Sequence, residues 1–232
     1  MEGRFHDFIE TTRDLACPAF ACGETHDTPR LAARLYGPGF SKMMTILNHF
    51  LPNGIPFLNS GQEIYEVQPM NLGLDCYEEE RYRLPATHPF YGKLALFDKI
   101  AFDYHKPARW DLPDQLDAVS KIRRQYLATF TDHKASVVLD LGPQAIGIGY
   151  HIHGRRHWQN NSIALVVGSL NTQDAAWFKI PLQELRQTCS NIWHSAKLVY
   201  STHEWHRTLD TFDQEGNLHL YFHPFEVKII IL

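Results

Sequence analysis

Two short apolar runs each end abruptly in polar residues, and they lie one helix apart. Ala19-Phe20-Ala21-Cys22 runs into Gly23-Glu24-Thr25-His26-Asp27-Thr28-Pro29-Arg30, and Gly54-Ile55-Pro56-Phe57-Leu58 runs into Asn59-Ser60-Gly61-Gln62-Glu63. Between them, residues 40–51 place Phe40, Met43, Met44, Leu47 and Phe50 on one helical face. The order strand, polar loop, helix, strand is that of a βαβ unit. Its strands run parallel, so their C-terminal ends deliver side chains to one common rim. That constraint separates the first part of the chain from everything after it.

Upstream, Phe5, Phe8, Ile9, Thr12 and Leu15 sit near helical spacing, which predicts an amphipathic helix over residues 4–16 that Pro18 stops. Residues 31–36 read as a short helix stopped by Gly37-Pro38-Gly39. A long irregular stretch from Gln62 to Asp111 carries Tyr65, Tyr77, Tyr82, Phe90, Tyr91, Tyr104 and Trp110, with a short helix predicted over 94–100. A loop of that length inside a compact domain is usually functional. Leu116, Val119, Ile122, Tyr126 and Phe130 predict a helix over 112–130, with Asp111 or Asp114 at its N-terminal end. From Lys134 the period changes to short β-like runs at 135–141, 145–152, 162–170, 176–180, 197–201, 218–222 and 226–232, punctuated by Asn171, Asp213-Gln214-Glu215-Gly216-Asn217 and Pro224. This pattern predicts an antiparallel β-sandwich. The expected domains are therefore residues 1–133 and 134–232.

The chain has 232 residues, 44% hydrophobic and 21% charged, the balance of an ordinary globule with a sizeable core. A formal charge of −4 and a pI of about 6.4 leave no basic field, so no nucleic-acid partner is expected. No apolar run approaches the ~18 residues that suggest a membrane span, and the N-terminus lacks a signal pattern, so no membrane partner and a cytoplasmic location are expected. Cys17, Cys22, Cys76 and Cys189 form no CxxC or zinc-ribbon spacing. Cys17 and Cys22 are expected as small buried hydrophobes.

The chemistry lies in the strand-end residues. A carboxylate beside an imidazole, as in His26-Asp27, can bind hydroxyls and stabilise positive charge, which suits an oxocarbenium-like transition state. Asp27 can equally cap a helix starting at Thr28-Pro29-Arg30, with proline in the first turn. Glu63 can face the same rim, or cap the following turn, or pair with an arginine such as Arg30. His151-Ile152-His153 with His157 could share a strand face as metal ligands, but a solvated strand face is the favoured reading. His203-Glu204-Trp205-His206 has the wrong spacing for an HExxH zinc site. Asn160-Asn161-Ser162 fits a glycosylation sequon without secretory context. There is no phosphate-cradling glycine loop and no GxSxG elbow, so no cofactor and no metal is expected.

Together the two strand ends resemble those of the last two barrel strands in the α-amylase family, the family 13 glycoside hydrolases. The strand-seven motif of that family typically reads aromatic-x-Asn-His-Asp. Here Gly23-Glu24-Thr25-His26-Asp27 matches its His-Asp pair but has Thr25 where asparagine is usual and Gly23 in an apolar position. The eighth strand often carries Gly-x-Pro and then Gly-x-Glu, matched by Gly54-Ile55-Pro56 and Gly61-Gln62-Glu63. A long loop, a helix and an all-β tail are similar to the family's C-terminal architecture.

The resemblance implies an α/β plus all-β fold: the last units of a (β/α)8 TIM barrel over residues 1–133, followed by an antiparallel β-sandwich over 134–232. It implies Asp27 as the transition-state stabiliser, with His26, Arg30, Gln62, Glu63 and Tyr65 binding an α-glucan or maltodextrin. The family's nucleophile aspartate and acid/base glutamate belong to earlier strands, and a whole barrel needs ~250 residues. The chain is therefore expected to be the C-terminal part of a retaining α-glucan hydrolase or transglycosylase, inactive alone, with the missing N-terminal barrel half as a possible partner. The competing expectation is a non-catalytic carbohydrate-binding or scaffold protein.

Overall fold

The computed structural model describes residues 4–95, 111–152, 162–186, 195–203 and 211–232. Helix α1 (Arg4–Arg13) buries Ile9 and Thr12. It ends earlier than its periodicity suggests, where the Arg13 guanidinium turns onto Asp14. Strand β1 (Ala19–Ala21), helix α2 (Gly37–Leu47) and strand β2 (Gly54–Pro56) form the expected βαβ unit. The strands pair in parallel, with Phe20 opposite Ile55.

The Gly37-Pro38-Gly39 segment starts a helix rather than stopping one. Gly37 takes φ +59° and Pro38 occupies the first turn of α2, where its missing N–H costs nothing. The preceding expected helix is a single 3-10 turn, Leu31–Ala33. Asn53 adopts φ +58° between α2 and β2, and its amide donates to the carbonyl of Leu15 at 2.9 Å, tying the end of the α1 segment to β2.

The helix expected over 112–130 is broken at Tyr126, giving α3 (Asp111–Gln125) and α4 (Leu127–Thr131). The break sets Phe130 edge-on to Phe50, with ring centroids 4.9 Å apart, and to Tyr150 at 5.2 Å.

The β region is a two-sheet sandwich. Strands β3 (Ser136–Leu139), β4 (Ala145–His151), β5 (Ile163–Ser169), β7 (Lys197–Ser201) and β10 (Val227–Ile231) form an antiparallel five-stranded sheet in the order β3-β4-β5-β10-β7. Strands β6 (Ala176–Ile180), β8 (Thr211–Phe212) and β9 (Leu218–Phe222) form a three-stranded sheet in the order β6-β9-β8. A short helix, α5 (Gln183–Arg186), follows β6, and its neighbour Gly149 has no room for a side chain: an added Cβ would lie 2.4 Å from Leu185.

The five-stranded sheet is buried on both faces. Ile163, Leu165 and Val167 of β5 face the three-stranded sheet, together with Phe178, Leu220 and Phe222. Ala164 and Val166 point the other way, into a cluster with Ile9, Met43, Ile46, Phe50, Val119 and Phe130. The hydrophobic core therefore runs continuously across residue 133. Tyr150 of β4 crosses the same junction, its hydroxyl donating to the carbonyl of Phe50.

Mixed α/β structure followed by a β-sandwich agrees with the sequence reading at that level. Among the described residues there is no closed barrel; the parallel sheet has two strands. No described helix is long and apolar enough to cross a membrane.

Two expectations fail at β1. Cys17 and Cys22 are exposed rather than buried, and Phe20 between them is 70% exposed. Only Ala21 faces the core, because in this strand alternate residues point to opposite sides and, among the described residues, nothing covers the Phe20 side. The region predicted as helix over 94–100 and residues Tyr104, Trp110, His153, His157, Asn160, Asn161, Cys189, Glu204, Trp205 and His206 lie largely or wholly outside the described residues.

Candidate functional site

The loop after β1 is shaped by its own short polar side chains. The Thr28 hydroxyl accepts the Thr25 N–H at 2.8 Å, and the Thr25 hydroxyl accepts the Asp27 N–H at 3.3 Å. These local bonds are the alternative that Ser, Thr and Asp offer to helix or sheet, and they turn His26 and Asp27 outward.

Below them lies a buried lock. The Glu24 carboxylate accepts from the Arg30 guanidinium at 2.7 Å, from the Asn59 amide at 3.0 Å and from the Leu31 N–H at 2.6 Å. Arg30 also donates to the carbonyls of Ser60 and Gln68, each at 2.8 Å. Both ionic side chains are essentially inaccessible, at 0% and 1% exposure. The pair joins the loop after β1 to the loop after β2, and the two loops to the segment at Gln68. Gln62 belongs to the same layer: its amide donates to the Thr45 hydroxyl of α2 at 2.7 Å and its carbonyl accepts the Asn59 N–H at 3.2 Å.

Above the lock, Asp27 is the accessible acid. His26 Nε2 lies 2.9 Å from its carboxylate, which accepts from the Asn71 amide at 2.8 Å. His26 is 66% exposed and Asp27 34%. Gly73 lies against the same carboxyl group, so closely that an added Cβ would fall 2.6 Å from Asp27 Oδ1. Cys76 is close by: burial pushes its thiol up, and the carboxylates of Glu80, Asp27 and Asp75 add to the shift. The arrangement holds one half-exposed carboxylate in a fixed orientation beside an imidazole. It can accept hydrogen bonds from hydroxyl groups and can stabilise a developing positive charge.

The sequence-predicted residues therefore separate. His26 and Asp27 come together at the surface beyond the C-terminal end of β1. Arg30 and Gln62 lie in the buried layer beneath them. Asp27 does not cap the turn at Leu31; Glu24 does, through the Leu31 N–H. Arg30 pairs with Glu24. Glu63 caps its own turn, accepting the Gly61 N–H at 2.8 Å where Gly61 takes φ +91°. Tyr65 is buried in a left-handed conformation (φ +55°), with its hydroxyl against Asp111. Burial raises the Tyr65 phenol, and the Asp111 charge raises it further. Burial works to raise Asp111 as well, but hydrogen bonds from Lys42, at 2.6 Å, and Tyr65 hold its carboxyl below the usual range.

Glu24, Asn59, Gln68, Asn71 and Gly73 complete the site and were not singled out from sequence. Glu24 had a usable signal, since it stands within the strand-end motif. The others depend on contacts from distant segments. Among the described residues no group of three or more His, Cys, Asp or Glu side chains is arranged to hold a metal ion. No protein-family model matches the chain, and no curated protein matches it.

Proposed function

We propose that this chain is the C-terminal part of an α-amylase-like glycoside hydrolase or transglycosylase acting on α-glucans. The observation that carries this reading is the Asp27 carboxylate, oriented by His26 and Asn71 just beyond the C-terminal end of a parallel strand. That end of a parallel α/β sheet is where such folds place their chemistry. Asp27 would stabilise the transition state and His26 would bind a sugar hydroxyl, while Arg30 and Gln62 hold the loops that present them. The nucleophile and the acid/base would come from a companion barrel half, so the chain alone binds but does not cleave. Titration of maltoheptaose into the purified chain tests this. Binding heat that disappears in Asp27→Ala is expected; equal binding by both proteins would end the assignment.

A second reading, a non-catalytic carbohydrate-binding protein, is favoured by a specific feature of the long loop. Tyr77, Tyr82 and Tyr91 are 69%, 47% and 39% exposed, and the rings of Tyr82 and Tyr91 pack 5.2 Å apart. Exposed rings of this kind offer apolar faces to sugar C–H groups. On this reading Tyr82→Ala, rather than Asp27→Ala, removes the binding heat.

A further inference from the structure

We infer that the outer face of the three-stranded sheet is a second sugar-binding site, centred on Trp177, that takes a neutral glucan chain. The identity of the sugar rests on the glucan assignment made above, but none of the residues around Asp27 or on the tyrosine loop takes part.

Alternation along β6 and β9 sorts the side chains of this sheet. Phe178, Ile180, Leu218, Leu220 and Phe222 point into the sandwich. Trp177, Lys179, His219 and Tyr221 point the other way. The five-stranded sheet packs its second face on the α/β part, so this outer face lies on the side of the sandwich away from Asp27. Trp177 stands opposite Tyr221 in the register, and Lys179 opposite His219. The face therefore carries an aromatic row beside a polar row, two residues apart along each strand, or ~7 Å. A single pyranose ring spans both.

The aromatic row leaves a large ring in water. Trp177 is 57% exposed. It is braced edge-on by Tyr221, with ring centroids 5.5 Å apart, and Tyr221 is flanked in turn by His223 at 5.5 Å. In the polar row, Lys179 Nζ lies 3.0 Å from the Glu215 carboxylate and 3.8 Å from that of Asp213. Asp213 accepts from the Asn217 N–H at 2.8 Å and from the Asn217 amide at 2.9 Å, and His219 Nε2 lies 3.1 Å from it. The contacts with Asn217 and His219 hold the Asp213 carboxyl well below the usual carboxylate range. Its acceptor oxygens are thus ionised and oriented before any ligand arrives, which lowers the ordering cost of binding.

This combination selects a neutral, amphipathic ligand. One ammonium stands among two carboxylates, so phosphate-bearing polymers are not attracted. A protein interface core is depleted of Lys, Asp and Glu, yet here these residues adjoin the exposed tryptophan directly. A lipid surface needs a contiguous apolar face, and the polar row interrupts it. A glucan meets both halves: its C–H faces lie on the indole, and its hydroxyls reach the carboxylate oxygens and ring nitrogens of the polar row.

The test is fluorine NMR of the chain labelled with 5-fluorotryptophan. The Trp177 signal, one of five, is assigned by its loss in Trp177→Phe. Adding maltoheptaose should shift that signal saturably, and equally in Asp27→Ala and Tyr82→Ala backgrounds. In native gels cast with amylopectin, Trp177→Ala should weaken retardation roughly 5-fold or more, with an unchanged circular dichroism spectrum, while Trp177→Phe retains most of it. His219→Ala should weaken it as well. A Trp177 signal that stays put at saturating maltoheptaose, or retardation unaffected by Trp177→Ala, would overturn the inference. So would a concentration-dependent dimer that Trp177→Ala abolishes, since the face would then be covered by a second copy. The two proposals fail separately: a Trp177 response without Asp27-dependent binding heat keeps this site and removes the one at Asp27, and Asp27-dependent heat with a silent Trp177 does the reverse.

Discussion

Arg30 and Glu24 form an ion pair, 2.7 Å from Nη1 to Oε1, with both side chains sealed from solvent. Six residues apart in sequence, they are held together by a tight polar loop and tied to the second strand end through Ser60 and Asn59. A buried pair of this kind gains little over an apolar isostere, but removing one partner strands a charge in the interior.

Arg30→Ala should therefore destabilise the fold by about 3–5 kcal/mol, lowering the thermal midpoint by about 10 °C for a chain of this size. Arg30→Lys should lose a large part of the same stability, because an ammonium cannot serve Glu24, Ser60 and Gln68 from one planar fork. Differential scanning calorimetry measures both. A shift of only a degree or two for Arg30→Ala would show that the lock is not structural.

A finer perturbation reaches Asp27 without touching its charge. An alanine methyl at position 73 would sit 2.6 Å from Asp27 Oδ1 and 2.9 Å from its Cβ, so the carboxyl must move. If Asp27 binds the sugar, Gly73→Ala should weaken maltoheptaose by about 10-fold, equivalent to about 1.4 kcal/mol. Its thermal midpoint should change much less than that of Arg30→Ala. Calorimetric titration reads the first quantity and a melting curve the second.

The purified chain should show no turnover of starch or maltodextrins, because a retaining mechanism needs two carboxylates flanking one bond and the strands that would supply them are not part of the parallel sheet described. Reducing-end release measured over hours checks this. Turnover that vanishes in Asp27→Ala would show that the chain carries a complete site.

Much of the β region was legible because its signal is local. The runs at 176–180, 197–201 and 218–222 coincide with β6, β7 and β9, since alternation and flanking turn residues lie within a few positions of one another. The strand-end pair His26-Asp27 was legible for the same reason. The lock beneath it was not: Glu24 meets Asn59 from 35 positions away, and Asp27 meets Asn71 from 44. No periodicity encodes such contacts. The start of α2 was misread because Gly-Pro-Gly carries both a stop and a start signal, and only the structure shows Pro38 inside a first turn. Cys17 and Cys22 depart from expectation because an apolar run reads as buried on both sides, whereas among the described residues only the Ala21 side of β1 is covered.

That correction has a chemical consequence. In a Cys189→Ser background, Ellman's reagent at pH 8 should modify Cys17 and Cys22 rapidly, both being exposed. Cys76 should react several-fold more slowly, because burial and the surrounding carboxylates raise its thiol and the thiolate is the reacting form. Neutralising a neighbour, as in Glu80→Gln, should speed Cys76 without altering the other two. Peptide mapping after timed quenching assigns each rate.

Three buried phenols set the response to alkali. Burial is the leading cause that raises Tyr65, Tyr150 and Tyr200 above the ordinary value of 10.0, and Asp111 adds to the shift at Tyr65 and Tyr200. For each, the unfolded chain ionises first as pH rises, so the unfolded state holds fewer protons than the folded one above that point. The stability they contribute is fully present below pH 10.0 and is lost as pH climbs beyond it towards the raised folded values. The thermal midpoint should thus be flat with respect to these groups through neutral pH and fall steeply above pH 10. Tyr150→Phe separates the two parts of that behaviour. It leaves the Phe50 carbonyl without its buried donor, which should cost about 1–3 kcal/mol at pH 7. It also removes one of the ionising groups, so the difference between wild type and variant should shrink as pH rises past 10. Melting curves from pH 7 to 11 measure both, and a constant offset across that range would show that Tyr150 does not contribute to the alkaline transition.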